Sequence, residues 1–74
     1  MLGFAPPSLR QFGDHAPVGE AVYELRIHSG PGYRVYYWRQ GHVTYWLLCG
    51  GDKSTQRRDI RRAKALRIQL EAWE

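Results

Sequence analysis

The spacing of the apolar residues changes once along this chain, at Gly50-Gly51, and this change limits the possible folds more than any other feature. Before the two glycines, apolar and polar residues alternate, which is typical of β-strands that bury one face. After them, apolar residues recur at spacings of three and four, which place them on one stripe of a helix. That stripe consists of Ile60, Ala63, Leu66, Leu70 and Trp73.

Two turn signals divide the alternating part into three predicted strands, over residues 21–28, 33–40 and 42–49. Ser29-Gly30-Pro31-Gly32 and Gln40-Gly41 are rich in the residues that favour tight turns. Because the connections are short, neighbouring strands should pair antiparallel. We therefore predict an α+β fold over residues 20–74: a three-stranded antiparallel meander followed by a C-terminal helix. Residues 1–19, with three prolines, are predicted to be an irregular arm.

Length and composition restrict the class of protein. A chain of 74 residues fits one domain with a small core. The single Cys49 cannot form an internal disulfide and is typical of a reducing compartment. The sequence contains no apolar run long enough for a membrane span and no signal peptide. These features predict a cytoplasmic protein without a membrane partner.

The charge balance points to an acidic partner. Eleven lysines and arginines against seven acidic residues give a net charge of +4, which favours nucleic acid or an acidic protein. The three histidines are too scattered in sequence to suggest a metal site, and we predict neither a metal nor a cofactor.

One face of the predicted sheet combines cations with aromatic rings. Arg26 and His28 alternate on the first strand, and Arg34 falls on the same surface of the second, followed by Tyr36 and Trp38. Aromatic rings between arginines suit single-stranded RNA, whose bases stack on rings and whose phosphates pair with guanidinium groups. The alternative is an ordinary solvated sheet face, with Trp38 partly covered by the arm.

The junction between sheet and helix offers two roles. Ser54 or Thr55 is the expected N-cap, since a short hydroxyl can accept from the free N–H groups of the first turn. Lys53, beside a helix N-terminus, would favour a bound phosphate, although the P-loop spacing is absent. Asp59 should project towards the sheet, where a carboxylate needs a partner. Lys53 or Arg34 would serve; the alternative is a simple interaction with the helix dipole.

Several blocks of the chain, in order over about residues 9–67, resemble one known family. They are Phe12-Gly13-Asp14, Pro17-Val18-Gly19, Glu24 to His28, Gly30 to Tyr36 and Gly50 to Gln56. The chain resembles the RelE/ParE superfamily of type II toxin–antitoxin toxins, and within it the HigB-like branch of addiction-module killer proteins.

The resemblance implies a bacterial toxin that cuts mRNA on the translating ribosome and is neutralised by a cognate antitoxin. Cleavage would proceed without metal, by attack of the ribose 2′-OH on the phosphodiester. Arg26, Arg34 and Lys53 correspond to the family's catalytic basic positions. His28 and Tyr36 are candidates for the general base, Trp38 for stacking, and Asp59 for a supporting role.

The N-terminal part departs from the family, because the strand and helical hairpin that normally precede the "GD…PVG" segment are absent. This departure implies a truncated RelE-like fold with an uncovered sheet edge, and it favours self-association. It also motivates an alternative function: a catalytically inactive toxin that serves as an antitoxin- or RNA-binding module. A ParE-like gyrase poison is disfavoured, since the strand blocks and the junction look like the RNA-cleaving branch.

Overall fold

The computed structural model describes residues 3–4, 13–28, 30, 32–41 and 44–73. The strands are β1 (Gly3–Phe4), β2 (Asp14–Gly19), β3 (Val22–Ile27), β4 (Tyr33–Gln40) and β5 (Thr44–Gly51); a 3-10 helix (Lys53–Thr55) and the helix α1 (Gln56–Ala72) follow. All strand pairs are antiparallel, in the order β1-β5-β4-β3-β2. The α+β class and the C-terminal helix are confirmed.

The predicted strand count of three was wrong. Four strands of six or eight residues form the sheet, and the two-residue β1 adds to its β5 edge. The additional long strand, β2, lies in the segment predicted as an irregular arm. It pairs with β3, and Pro17 is tolerated because β2 is at the edge of the sheet, where no neighbour needs its backbone donor.

The tight turn between β2 and β3 explains why this hairpin was not predicted from the sequence. Its central residues, Glu20 and Ala21, both have positive φ, at 56° and 63°. Turns of this kind usually carry Asn-Gly or another pair with glycine, so Glu-Ala gives no recognisable signal.

The helix covers the sheet face that the sequence predicted to be open to RNA. The fully or nearly buried core joins β3, β4, β5 and α1, and consists of Val22, Tyr36, Trp38, Leu48 and Ala63. Three members of the predicted helix stripe, Ile60, Leu66 and Leu70, pack against this core. The fifth member, Trp73, lies just beyond the helix end and is 90% exposed, so its place in the stripe was wrong.

The opposite sheet face is also aromatic. Tyr37 stacks on Tyr23 with ring centroids 5.6 Å apart, and it contacts Tyr45 at 5.4 Å. The Tyr37 hydroxyl pairs with Nδ1 of His15 at 2.8 Å. Because both faces carry large rings, alternation alone could not decide which face the helix would cover.

A glycine allows the close approach of sheet and helix at the junction. A Cβ at Gly51 would collide with the carboxylate of Asp59 and with the Thr55 hydroxyl. The absence of a side chain at Gly51 therefore lets the first turn of α1 lie directly on the end of β5. Among the described residues, no helix combines the length and apolar character that a membrane crossing needs.

Candidate functional site

The candidate site lies on the helix-covered face, at the end of the sheet where β3, β4 and the start of α1 meet. Arg26 and Arg34 are directly opposite one another in the β3–β4 register, so their side chains share this face. The predicted clustering of these two cations is therefore observed. Lys53 lies nearby in the chain path, because it comes two residues after Gly51, which pairs with Arg34.

Glu24 is the residue that organises the two arginines. Its Oε1 accepts a hydrogen bond from Nη1 of Arg34 at 2.7 Å, and its Oε2 is 3.9 Å from Nε of Arg26. Gln56, from the first turn of α1, donates to the same Oε1 at 3.3 Å. The carboxylate thus ties two strands to the helix.

Glu24 was missed by the sequence analysis, which expected an external anion between the arginines. The signal was present: Glu24 is two residues before Arg26 on the same strand, so period-two alternation places both on one face. The two arginines differ in how far their side chains are buried. The Arg34 side chain is 14% exposed, whereas that of Arg26 is 41% exposed and reaches solvent.

His28 extends this site at the edge formed by β2. Its Nε2 is 2.7 Å from Oδ2 of Asp14, and both side chains are about two-thirds exposed. The hydrogen bond from His28 is the main reason why the pKa of the Asp14 carboxyl is lowered, and the charge of Arg26 lowers it further. His28 and Arg26 therefore both interact with the carboxylate of Asp14.

Tyr36 and Trp38 do not fit their predicted roles. Both are buried beneath α1, so neither ring is open to stack on a base. Burial, reinforced by the charge of Glu24, raises the pKa of Tyr36 to about 12, which is unsuited to a general base at neutral pH. The Tyr36 hydroxyl has no hydrogen-bond partner among the described residues. Trp38 instead stacks on Trp46, with centroids 6.4 Å apart.

The 3-10 helix that leads into α1 is capped by Asp52, a residue that was not predicted as a cap. Oδ1 of Asp52 accepts from the backbone N–H of Ser54 at 2.8 Å and from its hydroxyl at 2.5 Å. These bonds lower the pKa of the Asp52 carboxyl. Thr55 occupies the N-cap position of α1 as predicted, but its side chain makes no capping bond. Because the Ser54 N–H already donates to Asp52, the phosphate role predicted for Lys53 would depend on the Lys53 ammonium rather than on that amide.

Asp59 faces the sheet, as predicted, and is only 4% exposed, but its expected partners were wrong. It accepts a hydrogen bond from the Thr55 hydroxyl at 2.5 Å, and Nε of Arg58 lies 3.8 Å from its other oxygen. Arg34 is paired with Glu24 instead. Asp59 therefore secures the first turn of α1, and Glu24, not Asp59, is the acid that pairs with Arg34.

A basic groove runs along the outer side of the same helix start. It is lined by residues 53–58 and Arg61, and four of these side chains are cationic: Lys53, Arg57, Arg58 and Arg61. Three of the four, Arg57, Arg58 and Arg61, are exposed residues of α1. Within the described part of the chain, no three His, Cys, Asp or Glu side chains are grouped as a metal site would require.

Comparison with known proteins finds similarity to a bacterial protein. An uncharacterized protein of Haemophilus influenzae is 54% identical over 59 residues, which is 80% of this chain. The chain spans about 60% of that protein's length. No family model matches the chain, and no solved structure matches it. The relative's name states no activity, so the resemblance to RelE/ParE toxins stays a prediction.

Proposed function

We propose that the chain is a toxin of a type II toxin–antitoxin system that binds mRNA on the ribosome and cleaves it by attack of a ribose 2′-OH on the adjacent phosphodiester. One observation carries the proposal: Arg26 and Arg34 lie side by side at a sheet end where the helix also begins, with further cations along that helix start. Such an arrangement can hold a polyanion and place positive charge at one phosphate.

The two arginines would contribute differently. Arg26 is the better candidate for direct contact with a scissile phosphate, because its side chain reaches solvent and its nearest acidic oxygen is 3.9 Å away. Arg34 is largely buried and firmly paired with Glu24, so its contribution is to hold the carboxylate and the adjoining strands in place around Arg26. Charge that is already in place when the pentavalent phosphorane forms stabilises the transition state without reorganisation.

The exposed cations would bind the RNA on either side of the reacting phosphate. Lys53, Arg57, Arg58 and Arg61 line a groove that is open to solvent, as a nucleic-acid backbone requires. Each phosphate that a cation neutralises releases counterions, so affinity in this groove should fall steeply with salt. A cognate antitoxin would neutralise the toxin by covering this surface.

The proposal is tested by expressing the chain in a bacterium and following mRNA integrity and growth. We expect the wild type to arrest growth and fragment mRNA, and Arg26→Gln to lose roughly 10²-fold in cleavage, the scale for removing one transition-state donor. Arg39→Gln is the matched control, since Arg39 is an exposed arginine on the opposite sheet face. Equal loss in both variants, or intact mRNA with the wild type, would contradict the proposal.

A second function is favoured by the state of Arg34. A guanidinium that is buried and paired at 2.7 Å with a carboxylate is poorly available to a substrate. The chain would then be an inactive toxin that binds RNA or antitoxin without cleaving. Salt-dependent RNA binding together with intact mRNA on ribosomes would favour this module over the nuclease.

A further inference from the structure

We infer that Asp14 is a positioning residue that fixes the imidazole of His28 as the general base of the site, an inference that rests on the RNA cleavage proposed above. The two residues come from different strands, Asp14 from the start of β2 and His28 from just beyond the end of β3. Their contact, 2.7 Å between Nε2 and Oδ2, links the β2 edge to the arginine cluster.

The chemistry of the contact determines the tautomer. An ionised carboxylate can only accept, so Nε2 of His28 must carry the hydrogen. In the neutral ring, Nδ1 is then the nitrogen with a free lone pair. Asp14 is ionised at neutral pH, since the hydrogen bond from His28 and the charge of Arg26 both lower its pKa. The ring is thereby presented in the form that can take a proton.

The Asp14–His28 pair also lies at the sheet end that carries Arg26 and Arg34. Asp14 is directly opposite Arg26 in the β2–β3 register, and residues opposite one another in an antiparallel pair share a sheet face. Arg26 in turn is opposite Arg34. The order across the sheet end is therefore Asp14, the solvent-exposed Arg26 and the buried Arg34, and His28 reaches Asp14 from just beyond the end of the Arg26 strand. His28 is about two-thirds exposed, which leaves it open to a ribose hydroxyl.

The proposed reaction is an attack of the ribose 2′-OH on the adjacent phosphorus. Nδ1 of His28 takes the proton of the 2′-OH, and the oxygen forms a bond to phosphorus. The bond between phosphorus and the 5′ oxygen breaks, and that oxygen takes a proton from water. The hydroxide left behind removes the proton from His28. The products are a 2′,3′-cyclic phosphate and a 5′-hydroxyl.

The test uses three variants of the whole chain: His28→Gln, Asp14→Ala and the double variant. We expect His28→Gln to lower the cleavage rate about 10²-fold, a modest value for general base catalysis. Asp14→Ala should lower it about tenfold, because His28 remains but its ring is no longer held. The double variant should be no slower than His28→Gln alone, since Asp14 acts only through His28. Glu71→Gln, an exposed carboxylate on α1, should leave the rate unchanged.

A spectroscopic measurement tests the inference without depending on RNA cleavage. In the wild type at pH 8, the ¹⁵N shifts of the His28 ring should correspond to one tautomer with the hydrogen on Nε2. In Asp14→Ala they should move towards the averaged shifts of free imidazole, and Asp14→Asn, which retains an acceptor oxygen, should resemble the wild type.

The outcomes separate the two proposals. Ring shifts that do not respond to Asp14→Ala, or a double variant that is slower by the product of both single losses, would overturn the positioning role. A wild-type chain that does not cleave RNA would overturn the proposed function and the general base with it. The ring shifts would then still decide whether Asp14 fixes the imidazole.

Discussion

Glu24 is the residue on which the organisation of the site depends most, and Glu24→Gln is the perturbation that tests it. The substitution keeps the size and one acceptor oxygen of the side chain but removes its charge. In the wild type this carboxylate is 7% exposed and receives Nη1 of Arg34 at 2.7 Å, with Arg26 and Gln56 as further neighbours. The variant leaves two guanidinium groups without their counter-charge, one of them largely buried.

The expected cost follows from that burial. Removing one partner of a buried ion pair costs about 3–5 kcal/mol, and the remaining acceptor oxygen of glutamine places the expectation at about 3 kcal/mol. A chain of 74 residues has a free energy of unfolding of roughly 4–11 kcal/mol. For a domain of this size each kcal/mol corresponds to about 4–8 °C, so the melting temperature should fall by about 12–24 °C.

Thermal and urea unfolding, followed by far-UV circular dichroism, measure this loss. The matched control is Glu71→Gln, which removes the carboxylate that pairs with Arg67 at 2.8 Å. Arg67 is as buried as Arg34, but Glu71 is 59% exposed, so the control isolates the burial of the acid. It should cost less than about 1 kcal/mol. Exposed ion pairs contribute up to about 1 kcal/mol. If the unfolding free energies of the two variants differ by less than about this amount, Glu24 does not stabilise the site through a buried ion pair.

Three further predictions concern the packing around the site. Tyr36→Phe should stabilise the fold by about 1 kcal/mol, because the buried hydroxyl has no hydrogen-bond partner among the described residues. Because the pKa of Tyr36 is raised from 10.0 to about 12, the contribution of its neutral form to stability is complete below pH 10.0 and is lost as the pH rises through about 12. Denaturant titrations at alkaline pH should show a smaller loss of stability in Tyr36→Phe than in the wild type. Gly51→Ala should destabilise by about 2 kcal/mol in urea unfolding, since the new methyl group would collide with the carboxylate of Asp59. Asp52→Ala should lower the melting temperature at neutral pH; because the pKa of Asp52 is lowered from 3.8, its contribution disappears as the pH falls through that lowered value, so wild type and variant should converge in acid.

Much of the fold could be predicted from the sequence because local signals were unambiguous. The second predicted strand, residues 33–40, matches β4 (Tyr33–Gln40), since turn residues border it on both sides. The helix stripe was correct from Ile60 to Leu70. β2 was missed for a local reason: a proline within the strand and a Glu-Ala turn with positive φ both lack the usual pattern.

The site was predictable only in part, because pairing across strands is set by register. Alternation placed Arg26 and Arg34 on one face, and the register confirmed it. The partner of Arg34 could not be chosen in advance between Asp59 and Glu24, since both acids face the same layer. Tyr36 and Trp38 were placed on the correct face, but the helix buries that face, which no periodicity within the strands reveals.

The exposed apolar surface bears on the predicted self-association, which stays a prediction. Trp73, Ile68, Tyr33 and Leu47 are exposed large apolar residues on different elements. Sedimentation of the purified chain over a concentration series would detect a dimer if these surfaces or the β2 edge pair with a second copy.

We propose that this chain cleaves RNA by 2′-OH attack at the Arg26–Arg34 cluster. The most direct measurement is a reconstituted translation reaction with a defined mRNA, in which the new ends are mapped and their chemistry determined. We expect cleavage only when both the chain and translating ribosomes are present, with 2′,3′-cyclic phosphate and 5′-hydroxyl ends. Intact mRNA with folded wild-type chain, or fragments that carry 5′-phosphates, would contradict it.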